Sequence, residues 1–575
     1  MTQAPARIDP LTFGVIWSGL ISIAEESGIT LRRTAYSEAV REGRDFSAAL
    51  FDTQGRMIAQ GDFSPGHLGS MPFALEHVLA AHPADTLRPG DVIVLNDLYM
   101  GSGHLPDFFC VTPLFHREQL VGFGVNVAHM IDVGGAAPGS QAVEGIFDHY
   151  QEGLRILPTK VWQAGVANEG VLGLIASNVR IPEKVLGDLR AQRNANRVAE
   201  QRLGELVERY GSETIFATMD EIIRHSEAEM RAAIRAIPDG VYGAEDYYDD
   251  YGRDTEPLKI KVTVTVAGDE ISVDFTGSSP QTPSGINALI NYTRAYSYFT
   301  VKCFTVQNDL PQNAGCVRPI KVVAPEGSLF NPRRPAGGGA RAIMQQRIVD
   351  TVLAAIAPAA PNKVIAASSH WANPIYGGVD PRTGRRFVFY EIIVGGYGAR
   401  STKDGAEALA GSFNLENIPC EINEAHYPIV VERLEFIRDS AGAGRFRGGC
   451  GIRKDVRLLG HDLTISNLAE RYKFPPPGLA GGKPGGLGAT IVNPGKDERA
   501  LASKGKYRLE TGDLVSIRLS GGGGYGDPLE REPEQVRLDV VRGYVSRERA
   551  RELYGVALTD DLFVDAAATA RLRQR

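Results

Sequence analysis

The chain has 575 residues, several times the usual size of one domain, so more than one core, or one core with large insertions, is expected. Its 43% hydrophobic and 23% charged residues are the proportions of an ordinary folded protein and argue against disorder. A net charge of -7, with acidic and basic residues interleaved, offers no basic stripe for nucleic acid and no polybasic anchor for a membrane, so neither partner is expected.

The opening "MTQAPARIDP" lacks a basic start followed by an apolar core, and no unbroken apolar run is long enough to span a bilayer. The cytoplasm is the expected location. Asp9 and Pro10 read as the cap and first position of a helix with Phe13, Ile16, Leu20 and Ile23 on one face, ending near Gly28. Residues 46–60, "FSAALFDTQGRMIAQ", read as a hairpin around Thr53-Gln54-Gly55, and residues 71–83 as a helix. From 91 to 133 strand-like runs alternate with glycine-rich turns. A long, charged, exposed helix is predicted from Pro182 to Arg209, with Gly211 and Ser212 ending it and capping a second helix to about Ile237. "LKIKVTVTVAGDEISVDF" (258–275) alternates as a hairpin about Gly268-Asp269. A further helix covers about 340–357, and much of 386–520 reads as strands between glycine-rich loops.

These elements predict an α+β fold class, a multi-domain mixed α/β chain with β-rich glycine-turn regions and a helical segment near 182–237. The expected divisions are an N-terminal α/β region (1–180), a helical segment (181–238), a central β-rich region (239–460) and a C-terminal β-rich region with a helical tail (461–575). The five cysteines, Cys110, Cys303, Cys316, Cys420 and Cys450, are scattered and form no CxxC pair, so they are read as small buried hydrophobes rather than disulfides or zinc ligands.

The chemistry gathers in "NDLYMGSGHLPD" (96–107), which follows the apolar run 91–95. It delivers Asp97, then His104 and Asp107 three apart, with Pro106 stiffening the turn. "NVAHMIDVGG" repeats the spacing with His129 and Asp132, and Asp45 precedes the strand at 46–51. Two HxxD elements at neighbouring strand ends can converge on a divalent ion such as Mn, Fe, Zn or Mg, because imidazole and carboxylate without thiolate suit such ions. The competing reading, hydrogen-bonded structural histidines, stays open on spacing alone.

Other glycine clusters are read as turns. "IDVGG" resembles the phosphate loop of actin-like ATPases, but Ala136 stands where that loop needs a threonine. "PAGGGARA" (335–342) precedes a helix and could bind an anion through backbone N–H groups, yet lacks the P-loop lysine. "IVGGYGAR" (393–400) and "LSGGGGYGDP" (519–528) are read as close-packed turns where glycine allows positive φ. There is no GxSxG elbow.

Taken in order, "DFSAALFD", "NDLYMGSGHLPD", "AHMIDVGG", "QEGLRI", "PQNAGCVRPIKVVAPEGSLFNP" and "GGGGYGDPLEREPE" resemble the hydantoinase B/oxoprolinase family over about residues 8–558. The resemblance implies a metal held by Asp45, His104, Asp107 and His129. Asp132 would orient His129, these two being the expected catalytic pair, with the ion Mn, Zn or Fe. It also implies an A-type (hydantoinase A) ATPase subunit as partner, binding ATP and Mg, in an α2β2-type hetero-oligomer that hydrolyses a small cyclic amide. The family often carries a second histidine where Met130 stands, a poor ligand for a hard ion, which points to His129 as the ligand.

Two alternatives share these motifs: a subunit of an acetone- or acetophenone-type ketone carboxylase, and a catalytically silent scaffold. The carboxylase subunit tends to be longer than this chain. Phe108 and Phe109 are expected to wall a pocket that Asn96, Asp97 and Asp132 make polar and wettable at a solvent-accessible strand end, which suits hydrolysis.

Overall fold

A computed structural model describes residues 8–306, 310–409, 412–413 and 415–574. Asp9 caps helix α1 (Pro10–Thr34) by accepting from the Leu11 and Thr12 N–H groups, with Pro10 at the first position, as the sequence predicts. The helix runs six residues past Gly28, because that glycine is no cap. A Cβ there would lie 2.1 Å from the Phe63 ring, so glycine admits the ring against the helix.

After the short α2 (Glu38–Arg41) come β1 (Phe46–Phe51) and β2 (Met57–Gln60), the predicted antiparallel hairpin. Helix α3 (Pro65–Ala81) begins earlier than the predicted 71: Ser64-Pro65 is its entry, and Pro72 is accommodated within it. Strands β3 (Val92–Leu95), β4 (Asp107–His116), β5 (Gln119–His129), β6 (Thr159–Gln163) and β7 (Val166–Ala167) complete an antiparallel sheet ordered β2-β1-β5-β4-β3-β6-β7.

Helices cover both faces of this sheet. Met71, Leu75 and Val78 of α3 pack on Phe109, Val111, Phe123 and Val125. On the opposite face, following α4 (Glu169–Asn178), lies α5 (Pro182–Tyr210), whose bounds match the prediction but whose exposure does not. Val185, Leu189 and Ala195 pack with Phe108 and Cys110, and buried Gln192 and Asn196 satisfy the strands: Gln192 donates to Phe108 O, and Asn196 to Cys110 O and Gly124 O. Polar residues that read as a solvated helix face are thus hydrogen-bonded across a helix–sheet interface.

Helix α6 (Ser212–Arg235) follows, with Gly211 at φ 79° between the two helices. The second sheet, ordered β11-β10-β9-β8, contains β8 (Gly240–Tyr248), the predicted hairpin β9 (Leu258–Ala267) and β10 (Glu270–Asp274), and β11 (Ile320–Val323) parallel to β10. Helices α7 (Ile290–Thr305), α8 (Ala314–Val317) and α9 (Met344–Ile356) belong to the same region, and α7 leans on α3 so closely that a Cβ on Gly69 would stand 2.5 Å from the Ala295 Cβ.

The remaining strands are β12 (Ile375–Val379), β13 (Arg386–Tyr390), β14 (Ile429–Phe436), β15 (Ile452–Leu458), β16 (His461–Leu468), β17 (Ala489–Val492), β18 (Arg499–Leu501), β19 (Lys504–Leu509) and β20 (Leu514–Arg518). They form two sheets, β13-β12-β16-β19 and β14-β15-β20-β17-β18. Both sheets draw strands from either side of residue 460, so the expected division there cuts through paired strands. The helical segment 181–238 is likewise no separate unit, since α5 is half of a helix–sheet interface. The fold is the expected α+β mixture of helices and mainly antiparallel sheets.

The glycine run 521–524 lies where a Cβ would meet the backbone of Ser440, Tyr397, Pro477 and Ala443 at 2.1–2.3 Å, and none of these four glycines has positive φ. Close approach of loops, rather than left-handed backbone, therefore requires glycine at these four positions, while Gly526 in the same expected turn has φ 76°. No helix among the described residues is long and apolar enough to cross a membrane. The five cysteines are free; Cys110, Cys316 and Cys450 are buried, whereas Cys420 is half-buried and Cys303 exposed.

Candidate metal centre

Three adjacent strands of the first sheet deliver one group each to the same end. Asp107 opens β4 and is paired in register with His129, which closes β5. Asp45 immediately precedes β1, and its carbonyl accepts the His129 N–H at 3.1 Å. His104 comes from the turn before β4. The described residues bring His104, Asp107 and His129 together with ligating atoms within 4.8 Å of one another, all buried.

Asp107 is the hub. Its Oδ1 lies 2.7 Å from His104 Nε2 and 2.9 Å from His129 Nδ1. Its Oδ2 lies 2.7 Å from Arg341 Nη2 and 3.3 Å from His67 Nε2, and also accepts from the Ser102 hydroxyl. Asp45 joins through Oδ1, 3.6 Å from His67 Nε2, and Oδ2, 3.9 Å from His129 Nδ1. Burial opposes ionisation of Asp107, but the charges of His67 and Arg341 beside it hold its carboxyl well below the usual range. The Arg341 guanidinium is itself stacked 3.9 Å over the Tyr292 ring.

His104 carries the decisive observation. Burial, then the Arg341 charge, push its pKa down to about 3, so the ring is neutral and has one proton. Two oxygens flank it: Gly339 O at 3.1 Å from Nδ1 and Asp107 Oδ1 at 2.7 Å from Nε2. One proton cannot serve both. With Nδ1–H donated to Gly339 O, Nε2 presents a bare lone pair to the carboxylate, an arrangement that a Lewis-acidic ion satisfies. His129 is similar. Gln141 Nε2 stands 3.2 Å from its Nε2 and donates to the Tyr390 hydroxyl at 3.4 Å; with the amide turned, its oxygen would instead accept from an Nε2–H and leave Nδ1 free for an ion. This donor set of imidazole and carboxylate fits a borderline-to-hard divalent ion.

Asp132 sits elsewhere. Its oxygens accept from the N–H groups of Gly134, Gly139 and Arg180 and from the Arg180 guanidinium at 2.8 Å; none of its hydrogen bonds or ion pairs reaches His129. Gln141 occupies the place expected for Asp132, and Asp132 fixes the loop that delivers it. The expected wettable pocket is also not what forms. Asn96 is consumed by Leu105 O, Leu154 O and the Ile156 N–H, Asp97 pairs with Arg155 and Arg334, and His104 and His129 are 2% and 1% exposed. Phe108 and Phe109 alternate along β4 and enter the cores on its two faces.

Sequence reading missed His67 and Arg341. His67 lies in the first turn of α3; had Ser64-Pro65 been read as a helix start, it would have stood beside the hairpin that Asp45 opens. Burial works against protonation of His67, but Asp107 and Asp45 raise its pKa above the ordinary value, so the ring forms an ion pair with both carboxylates through Nε2. Arg341 lies inside "PAGGGARA", and nothing local connects it to Asp107, 234 residues away.

The glycine loops of "PAGGGARA" and "IDVGG" both hold carboxyl groups of this chain. Gly338 and Gly339 N–H groups bind Glu152 Oε1, and the Gly134 N–H binds Asp132.

An α+β chain with an Asp/His cluster at one end of its first sheet is the class defined by this fold and site. The chain belongs to the Hydantoinase B/oxoprolinase family, whose description matches residues 9–528. It is 34% identical to the caprolactamase subunit beta of Pseudomonas jessenii, over 98% of both chains. It is 32% identical to 5-oxoprolinase 1 of Arabidopsis thaliana, over 88% of this chain but 41% of that protein. Among solved structures, the ATP-dependent caprolactamase from Pseudomonas jessenii superposes with a TM-score of 0.91 at 33% identity, covering 99% of this chain and 100% of that one. Nucleotide-free acetone carboxylase shares the fold, with a TM-score of 0.91 at 21% identity over 98% of this chain and 82% of that one.

Proposed function

We propose that this chain is the metal-bearing B-type subunit of an ATP-dependent cyclic-amide hydrolase, opening a hydantoin, oxoproline or lactam ring together with an A-type ATPase subunit, in an α2β2-type hetero-oligomer. The ion, Mn, Zn or Fe, is assigned to Asp45, His104, Asp107 and His129. The observation that supports this reading is geometric: buried His104, Asp107 and His129 bring one ligating atom each to within 4.8 Å of one another, with Asp45 beside them. The two glycine loops support the division of labour, since their inward N–H groups are occupied by Glu152 and Asp132, so ATP and its Mg are assigned to the partner.

When bound, the ion would polarise an activated carbonyl or lower the pKa of a water. The chain's own groups do the rest. Asp107 brings Oδ1 to both imidazoles while Gly339 O holds the His104 ring, Arg341 and Ser102 fix its second oxygen, and His67 lies between the two carboxylates with a proton available at Nε2. A carboxylase shares the fold, but the hydrolase reading is favoured because the caprolactamase match combines 33% identity with full coverage.

The test is co-purification with the A-type partner, followed by ATP turnover on hydantoins, lactams and ketones with and without bicarbonate. Ring opening independent of bicarbonate, with oxygen from labelled water in the carboxylate or released phosphate, is the expected result. Bicarbonate-dependent consumption of a ketone would establish the carboxylase instead. Unchanged turnover after loss of Asp107 would leave the chain a scaffold.

A further inference from the structure

The Glu152 carboxyl, 3% exposed, is held between the 133–154 segment and the glycine turn before α9. Its own backbone is fixed from both sides: Glu152 N–H donates to His149 O at 3.2 Å, His149 N–H to Pro335 O at 3.0 Å, and Leu154 N–H to Val133 O at 2.8 Å. From there Oε1 accepts the N–H groups of Gly338 and Gly339 at 2.8 and 2.7 Å. A Cβ at Gly337 or Gly339 would stand 2.7 or 3.1 Å from that same oxygen, so the turn closes over the carboxyl only because these residues are glycine. Oε2 has no hydrogen-bond partner among the described residues.

The clamped turn does two things at the Asp/His cluster. The Gly339 carbonyl is the acceptor for His104 Nδ1, and two residues further Arg341 gives Nη2 to Asp107 and Nε to Ser102 O, each at 2.7 Å. One carboxyl oxygen therefore fixes the proton position of one imidazole and the counter-charge of the hub carboxylate.

We propose that Glu152 is a positioning residue for the metal centre: by holding the 337–339 turn it sets the tautomer of His104, leaving Nε2 as the ligating nitrogen. The proposal rests on the metal reading given above. Glu152 touches neither ligand, and its action runs through the backbone of Gly338 and Gly339. What it must supply is one acceptor oxygen of the right reach, not a charge.

Three variants of the full chain separate these statements, each loaded with Zn or Mn and titrated against a chelator, with melting temperature recorded alongside. Glu152→Gln keeps an oxygen for both N–H groups and should bind the ion within about threefold of the parent. Glu152→Ala should bind it about 10–100-fold more weakly, the usual loss when the group orienting a ligand is removed. Glu152→Asp, one methylene shorter, should also weaken binding and serves if the alanine variant does not fold.

His104→Ala is the control. If it loses the ion while Glu152→Ala and Glu152→Asp keep parental affinity, the clamp is wrong and the site stands. If His104→Ala keeps the ion, the site reading falls, and the clamp with it. A glutamine variant as weak as the alanine one overturns the acceptor role, because charge would then be what matters.

Discussion

Asp107 and His129 face each other across the β4–β5 ladder, carboxylate Oδ1 to imidazole Nδ1 at 2.9 Å, at the first residue of one strand and the last of the next. Register alone sets this distance, so a slip of one residue would turn one of the two to the other face of the sheet. The same carboxylate meets His104, His67 and Arg341.

Replacing Asp107 by Ala should therefore do two things at once. The ion is lost, and the Arg341 charge is left buried without its partner, at a cost on the order of 3–5 kcal/mol. Elemental analysis and urea denaturation read these separately. A parental denaturation midpoint would show that Arg341 finds another partner.

His104→Ala should abolish stoichiometric metal and, because the ring is 2% exposed rather than solvent-facing, also lower the melting temperature. Full occupancy in elemental analysis contradicts the assignment.

His67 lies outside the trio whose donor atoms converge within 4.8 Å, and its raised pKa favours the protonated ring. His67→Gln is expected to keep its ion while turnover in the reconstituted complex falls by about 100-fold, the scale of a lost proton donor. Loss of the ion in this variant would make His67 a ligand.

Gly69 carries the contact that seats α3, and with it His67, against α7. Gly69→Ala places a methyl 2.5 Å from the Ala295 Cβ and 2.7 Å from its Cα, where no flexible chain end can yield. A loss of about 1–3 kcal/mol in chemical denaturation is expected, and unchanged stability would mean the helices part freely.

Glu152 gives stability a pH dependence of known sign. Burial, opposed by the Gly339 and Gly338 N–H groups, pushes its carboxyl up to about 8, whereas in the unfolded chain it ionises near 4.5. Below 4.5 both states are protonated and the contribution is whole. Between 4.5 and 8 the unfolded state gives up a proton that the folded state keeps, so stability falls as pH rises and levels above 8. Glu152→Gln should lack this slope in ion-free protein. Parallel stability–pH curves for parent and variant would show that Glu152 ionises normally in the fold.

Much of the local structure was legible in the sequence. The Asp9-Pro10 start of α1, the alternation that makes β9 and β10, and the breaker-free run of α5 each follow from nearest-neighbour physics: a cap, a period of two, and the absence of glycine and proline. Asp45, His104, Asp107 and His129 could be singled out because each lies within a few residues of a strand end, but spacing alone left structural histidines open, and it is the family resemblance that implies these four as a set. What tertiary structure alone decided is what meets them from far away. Arg341 reaches Asp107 across 234 residues, Glu152 reaches Gly338 across 186, and Gln141 takes the place beside His129 that the resemblance implied for Asp132. Burial was also a tertiary matter. Gln192 and Asn196 look like a solvated helix face until the strands beneath offer carbonyls to pair with them. Periodicity reports which side of an element differs from the other, whereas contact and burial depend on how distant elements pack.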